Sequence, residues 1–196
     1  GLAYHVLQWF RQEILLNLIS EKIKDQNAIE LIKEIIQSFS QGLPLGNVTS
    51  QLFANIYLNE LDQFVKHNLK TRYYLRYCDD FVILNADENY LQNLIPLIDN
   101  FLQENLRLRL HPNKIIIRKY RQGIDFLGYV VLPYHRVLRT KTKKRIFKKI
   151  TKRFTELHND LISKKFFNQS LESYLGILKH CNGHKIKTMI KQKIGR

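Results

Sequence analysis

Two adjacent carboxylates, Asp79 and Asp80, stand between strand-forming runs in the stretch Arg72 to Leu84. Neighbouring carboxylates repel each other and lose solvation beside apolar strands. A divalent cation removes that cost. Mg2+ takes oxygen ligands from one or two carboxylates and completes its shell with substrate phosphates. Two such ions about 3.5–4 Å apart stabilise both the attacking and the leaving oxygen of a phosphoryl transfer. The pair therefore reads as a site for Mg2+, with Mn2+ as the alternative, at which a nucleotide triphosphate and a primer end could meet. The plainer reading is an ordinary turn, because Asp is common in turns. The pair taken alone does not separate the two.

A second chemical signal is positive. Arg136, Arg139, Lys141, Lys143, Lys144, Arg145, Lys148, Lys149, Lys152 and Arg153 form a dense basic run. Such residues bind phosphates without sequence preference and make the binding salt-dependent. A solvated helix face and a membrane-surface helix are the competing readings; the density and the total charge favour nucleic acid. Smaller candidates weigh less. His180-Cys181-Asn182-Gly183-His184 offers three zinc donors where closed structural sites use four, and Gly183 also reads as a helix end. Cys78 reads as a packing residue and Lys114, on chemistry alone, as a surface lysine.

The elements that must position these residues follow from periodicity. Glu13 to Phe39 is expected to be helical, with a break at Asp25-Gln26-Asn27. A turn-forming stretch from Ser40 to Asn47 follows. Thr49 or Ser50 then caps a helix with Leu52, Phe53, Ile56, Tyr57, Leu61 and Phe64 on its apolar side. Arg72 to Tyr77 and Phe81 to Leu84 make a β-hairpin with the acids at its tip. Glu88 to Leu106 returns to helix. Ile115 to Ile117 and Phe126 to Val131 read as strands, and the segments up to Lys165 and from Leu171 to Ile194 as helices. The fold class is α+β, a small antiparallel sheet with helices on one face, followed by a helical region. The boundary is placed near Pro133–Leu138, dividing the chain into 1–135 and 136–196.

Composition agrees. The 196 residues carry a net charge of +15 and are 44% hydrophobic, enough for a core and enough positive charge for a polyanionic partner. Two distant cysteines suggest no disulfide framework, which points to a reducing, cytoplasmic setting. No apolar run is long enough to span a bilayer, so a membrane is not expected as a partner.

With these segments assembled, the chain resembles a reverse transcriptase. Tyr77-Cys78-Asp79-Asp80 is similar to the family's Tyr-x-Asp-Asp motif. Gly42 to Leu58, beginning Gly42-Leu43-Pro44-Leu45-Gly46-Asn47, resembles the motif just before it. Leu110-His111-Pro112-Asn113-Lys114 resembles the motif after it, and Ile124-Asp125-Phe126-Leu127-Gly128-Tyr129 resembles the primer-grip hairpin. Four motifs in order, over about Ser40 to Tyr134, make the likeness specific. It implies a polymerase palm at 1–135 and a basic helical thumb at 136–196. It further implies RNA-templated DNA synthesis from deoxynucleotides on a DNA or RNA primer. Asp79 and Asp80 would hold the metal, and Lys114 would serve as general acid toward pyrophosphate. Gly46, Ser50, Gln51 and Tyr77 would face the nucleotide, and Phe126, Leu127, Gly128 and Tyr129 the primer. Arg139, Lys141, Lys143, Lys144, Arg145, Lys148, Lys149, Lys152 and Arg153 would lie along the duplex. Ser50-Gln51, where most group II intron-like enzymes have Ser-Pro, resembles the enzymes of diversity-generating retroelements. That likeness implies an accessory protein of the same element as a partner.

The likeness has a gap at the front. The family's first palm motif carries another metal-binding Asp on a strand, yet Gly1 to Gln12 contains no acid, and Leu2 falls about where that Asp belongs. Glu13 is the first carboxylate and reads as part of a helix start. The upstream fingers motifs are missing as well, and the chain does not begin with Met. The expectation is a fragment or a remnant that does not polymerise unaided.

Overall fold

The computed structural model describes residues 10–38, 42 and 48–195. The expected strand within residues 1–12 and most of the turn at 40–47, Gly46 included, lie outside or almost wholly outside these residues. The chain divides into two compact units, 1–117 and 118–196.

In the first unit, α1 (Gln12–Lys22) and α2 (Gln26–Gln37) are separated at the expected break. Asp25 caps α2 by accepting from the Ala28 amide at 3.1 Å, which supplies a partner for one of the open N–H groups at a helix start. α3 spans Val48–Gln63, so Thr49 and Ser50 lie inside its first turn and do not cap it. β1 (Tyr73–Tyr77) and β2 (Asp80–Leu84) pair antiparallel, Tyr73 opposite Leu84 and Tyr77 opposite Asp80. α4 covers Glu88–Leu106, capped by the Asp87 carboxylate and closed by Arg107 in the left-handed region, φ 51°.

The core of this unit draws on Leu15, Ile19, Ile36, Phe53, Tyr57, Leu58, Leu61, Leu94, Ile98, Leu102 and Leu106, all buried. Period 2 in the hairpin sends Tyr74, Phe81 and Ile83 onto that core while Tyr73, Leu75 and Tyr77 face outward. Helices therefore cover one face of the hairpin, as expected. Leu52 does not join the apolar side of α3; it is exposed near the helix start. Ile115 to Ile117 form no strand. Strand-forming residues need a ladder partner, and none pairs with them among the described residues.

In the second unit, β3 (Ile124–Phe126), β4 (Tyr129–Val131) and β5 (Arg136–Leu138) form a separate antiparallel sheet. Leu127 and Gly128 connect β3 to β4 with positive φ at both positions, 51° and 84°. That is the backbone of a type I′ turn, whose twist suits a hairpin. Leu138 is buried with Ile146, Ile150, Leu178 and Ile190, and Tyr129 packs against them. The sheet thus shares a core with the helices that follow, which is why the compact unit starts upstream of the change in composition at 133–138.

Those helices are α5 (Thr140–His158), α6 (Lys164–Leu178) and α7 (His184–Ile194). Leu161 belongs to no helix and is exposed, because the chain turns at Asp160, φ 54°. The single helix expected over Leu171 to Ile194 is broken before Gly183. There the chain passes so close to α6 that a Cβ would meet the Leu178 side chain at 2.9 Å.

Candidate active site

The tip of the first hairpin is a two-residue loop, Cys78-Asp79, closed by the Tyr77–Asp80 pair. Cys78 takes φ 52° and is exposed, so it is not the buried packing residue that was expected. Asp79 is half-buried, whereas Asp80 and Tyr77 sit on the outward face. Burial pushes the Asp79 carboxyl above its usual range, and the neighbouring Asp80 charge adds to the shift. Lys114, presented by the 3-10 turn Pro112–Lys114, pulls the other way. The tip therefore brings together both acids and the lysine singled out from the sequence.

The raised Asp79 value has a testable sign. The protonated acid is the form that the metal-free fold prefers. Asp79's contribution is complete below the unfolded value of about 3.9 and is lost as pH rises through the higher folded value. In EDTA, Asp79→Asn is accordingly expected to melt above the wild type at pH 7, and the difference should vanish toward pH 3. A variant that melts lower across the whole range would contradict this sign.

α3 sets where the tip points. Gln51, Asn55 and Asp62 fall on one helical stripe. Asp62 accepts from Tyr74 Oη at 2.7 Å and from Arg76 Nε at 2.7 Å and Nη2 at 2.5 Å. About two turns toward the helix start, Asn55 Oδ1 lies 3.4 Å from Arg76 Nη1, which also donates to the Cys78 carbonyl at 2.8 Å. β1 therefore runs along α3 toward its N-terminal end, the end that carries Ser50 and Gln51. Gln51 is exposed. Ser50 is buried, and its Oγ has no hydrogen-bond partner among the described residues. Asp62 and Arg76 were not foreseen. The signal was present: each is a charged residue at an inward position of an otherwise apolar pattern.

Both acids are hard oxygen donors, a set that suits Mg2+ or Mn2+. Among the described residues no group of three or more acidic, histidine or cysteine side chains is assembled, either here or at His180–His184. Glu13 is exposed on the first turn of α1.

In the second unit, the primer-grip residues form the β3–β4 hairpin. Leu127 is exposed at the turn, whereas Tyr129 is turned into the core, its Oη donating to the Ile177 carbonyl at 3.1 Å. On α5, Lys141, Lys144, Arg145, Lys148, Lys149 and Lys152 recur at three- and four-residue spacing on one exposed stripe, opposite buried Ile146 and Ile150. Three basic residues are already engaged. Arg139 pairs with Asp125, Arg153 pairs with Glu156 at 2.9 Å and lies over the Phe166 ring, and Lys152 approaches Glu156 at 3.8 Å. Lys143 is half-buried.

The hairpin thus presents two carboxylates at its tip, with α3 laid along it and the Lys114 charge acting on Asp79. Residues 8–131, more than half of the chain, match the family described as reverse transcriptase (RNA-dependent DNA polymerase), and the chain belongs to that family. It is 22% identical over 184 residues to the putative COX1/OXI3 intron 2 protein of Saccharomyces cerevisiae, covering 60% of this chain and 22% of that protein. It is 26% identical over 203 residues to the group II intron-encoded protein LtrA of Lactococcus lactis subsp. cremoris, covering 67% and 33%. Protein YkfC of Escherichia coli is 25% identical over 172 residues, covering 66% and 44%. The chain thus spans less than half the length of these relatives. No described helix is long and apolar enough to cross a membrane.

Proposed function

We propose that this chain supplies the palm and thumb, 1–135 and 136–196, of an enzyme that synthesises DNA on an RNA template. The observation that carries the proposal is the direction of the first hairpin. Its acidic tip extends along α3 toward Ser50 and Gln51, with Lys114 alongside. In the reaction, the primer 3′-oxygen attacks the α-phosphorus of a deoxynucleotide. The bond from that phosphorus to the β-phosphate oxygen breaks, and pyrophosphate leaves.

Mg2+, or Mn2+ in its place, would supply Lewis-acid stabilisation of the phosphoryl oxygens when held by Asp79 and Asp80. Lys114 donates a proton to the departing pyrophosphate. Ser50, Gln51, Tyr77 and the upstream Gly46 border the nucleotide, and the Phe126–Tyr129 hairpin supports the primer, with Leu127 its exposed member. The α5 stripe follows the duplex backbone. Positioning and electrostatics do most of the work in such transfers.

Because residues 1–196 are not expected to polymerise unaided, the proposal is tested by extension of a labelled DNA primer on an RNA template, with Mg2+ or Mn2+, by a protein in which this chain is joined to the upstream fingers and first palm motif of a related enzyme. Salt-sensitive binding without extension would support instead a noncatalytic nucleic-acid-binding protein. That second reading draws on the two-donor metal site and on a basic helix that needs no active site to bind. Misincorporation opposite template adenines, reduced by Gln51→Pro, would support the diversity-generating subtype over a group II intron-like or CRISPR-associated enzyme.

The stripe on α5 carries its own prediction. Each phosphate contact contributes about 0.9 to the slope of log affinity against log salt. Lys144→Gln with Lys148→Gln is expected to lower that slope by about 2 and to weaken all duplex sequences alike. Fluorescence anisotropy from 50 to 300 mM salt measures it, and an unchanged slope would remove α5 from the interface.

A further inference from the structure

We propose that Asp62, Arg76 and Asn55 form a positioning clamp for the turn that carries Asp79, an inference that rests on the polymerase reading of this site. An arginine guanidinium has five N–H donors in a rigid plane. In Arg76, Nε and Nη2 grip the two Asp62 oxygens, and Nη1 faces the other way, onto the Cys78 carbonyl at 2.8 Å and Asn55 Oδ1 at 3.4 Å. A single side chain thus ties α3 to the backbone one residue before Asp79.

The pair is poorly explained by stability alone. The Arg76 and Asp62 side chains are 9% and 28% exposed, and well-packed apolar residues often do as well at such positions. What the ion pair adds is direction. Tyr74 Oη also donates to Asp62, so the carboxylate accepts three hydrogen bonds and is fixed on both sides. The restrained carbonyl belongs to Cys78, whose φ of 52° is seldom adopted by residues other than glycine. A turn in that conformation needs an outside restraint to keep its acid at one height and angle. Lysine would preserve the charge of Arg76 and lose the planar fork.

The full chain is compared with Asp62→Asn and Arg76→Lys, each checked for folding by circular dichroism. Asp62→Asn preserves shape and carries the test should Arg76→Lys not fold. Amide exchange at the 73–84 segment is expected to quicken in the variants. The Mn2+ dissociation constant, read by electron paramagnetic resonance, is expected to rise about tenfold, the scale on which residues that orient a metal ligand act. Duplex affinity should stay unchanged. Exchange that is unaltered in a folded variant overturns the clamp, and so does altered exchange with unaltered Mn2+ affinity. Primer extension is scored separately. A wild type that binds Mn2+ at the turn and loses it in the variants, yet extends no primer, sinks the polymerase reading and leaves the clamp standing. Extension by the wild type with variants of unaltered exchange sinks the clamp alone.

Discussion

In a protein that joins this chain to upstream fingers and a first palm motif, Asp79→Asn is expected to cut primer extension by about a thousandfold, the upper range for removal of one preorganised electrostatic group, while primer–template affinity stays unchanged. Asparagine preserves the shape of the side chain and removes the charge. The loss should be large because Asp79 is the half-buried acid of the pair and feels the charges of both Asp80 and Lys114. Substituting it leaves Asp80 on the outward face as the remaining donor at the tip. Binding should be spared because the exposed basic stripe from Lys141 to Lys152 lies on a different compact unit. Single-turnover kinetics with pre-formed complexes would separate the two quantities. A fall in affinity equal to the fall in rate would mean that the tip contributes to binding and not to the chemical step.

Tyr57→Ala is expected to destabilise the first unit by about 3–5 kcal/mol, the range for removal of a large buried aromatic. Tyr57 is 0% exposed, edge-on to Phe10 at 4.4 Å, and its hydroxyl donates to the Leu106 carbonyl at 2.7 Å. It therefore joins α3, the end of α4 and the segment leading into α1. Burial pushes its hydroxyl up to about 12, so it stays a donor across the physiological range. Because whole domains are stable by only about 5–15 kcal/mol, the variant should lose a large share of its margin. Tyr57→Phe, which strands the Leu106 carbonyl, should lose about 1–3 kcal/mol. Urea denaturation of the three proteins checks the order; equal midpoints for Phe and Ala would place the energy in the hydrogen bond and not in packing.

The first hairpin and α4 were legible because their signals are local. Alternation marks the strands, and the expected helix Glu88–Leu106 matches α4; the Asp87 cap and the left-handed Arg107 that close it are seen only in the fold. Ile115 to Ile117 misled because strand propensity says nothing about whether a partner strand is near. The break between α6 and α7 depends on the approach of Gly183 to Leu178, a tertiary contact that periodicity does not encode.

The site divides in the same way. Asp79 and Asp80 announce themselves as a pair. The engagement of Arg139 with Asp125 and of Arg76 with Asp62 depends on registers that only folding brings together. Ten basic residues within 136–153 could be read from the sequence. That six of them make one exposed stripe, and that Arg139, Arg153 and Lys152 engage Asp125 and Glu156, required the helix and its neighbours.

The account depends most on a divalent ion being held at the bend between β1 and β2. Fe2+ can be substituted for Mg2+ in the protein bound to primer, template and deoxynucleotide, and peroxide then cuts the polypeptide beside the ion. Cleavage confined to the neighbourhood of Tyr77–Phe81 and Lys114, and abolished by Asp79→Asn, is the predicted result. Cutting elsewhere, or at the bend with equal strength in the variant, would contradict it.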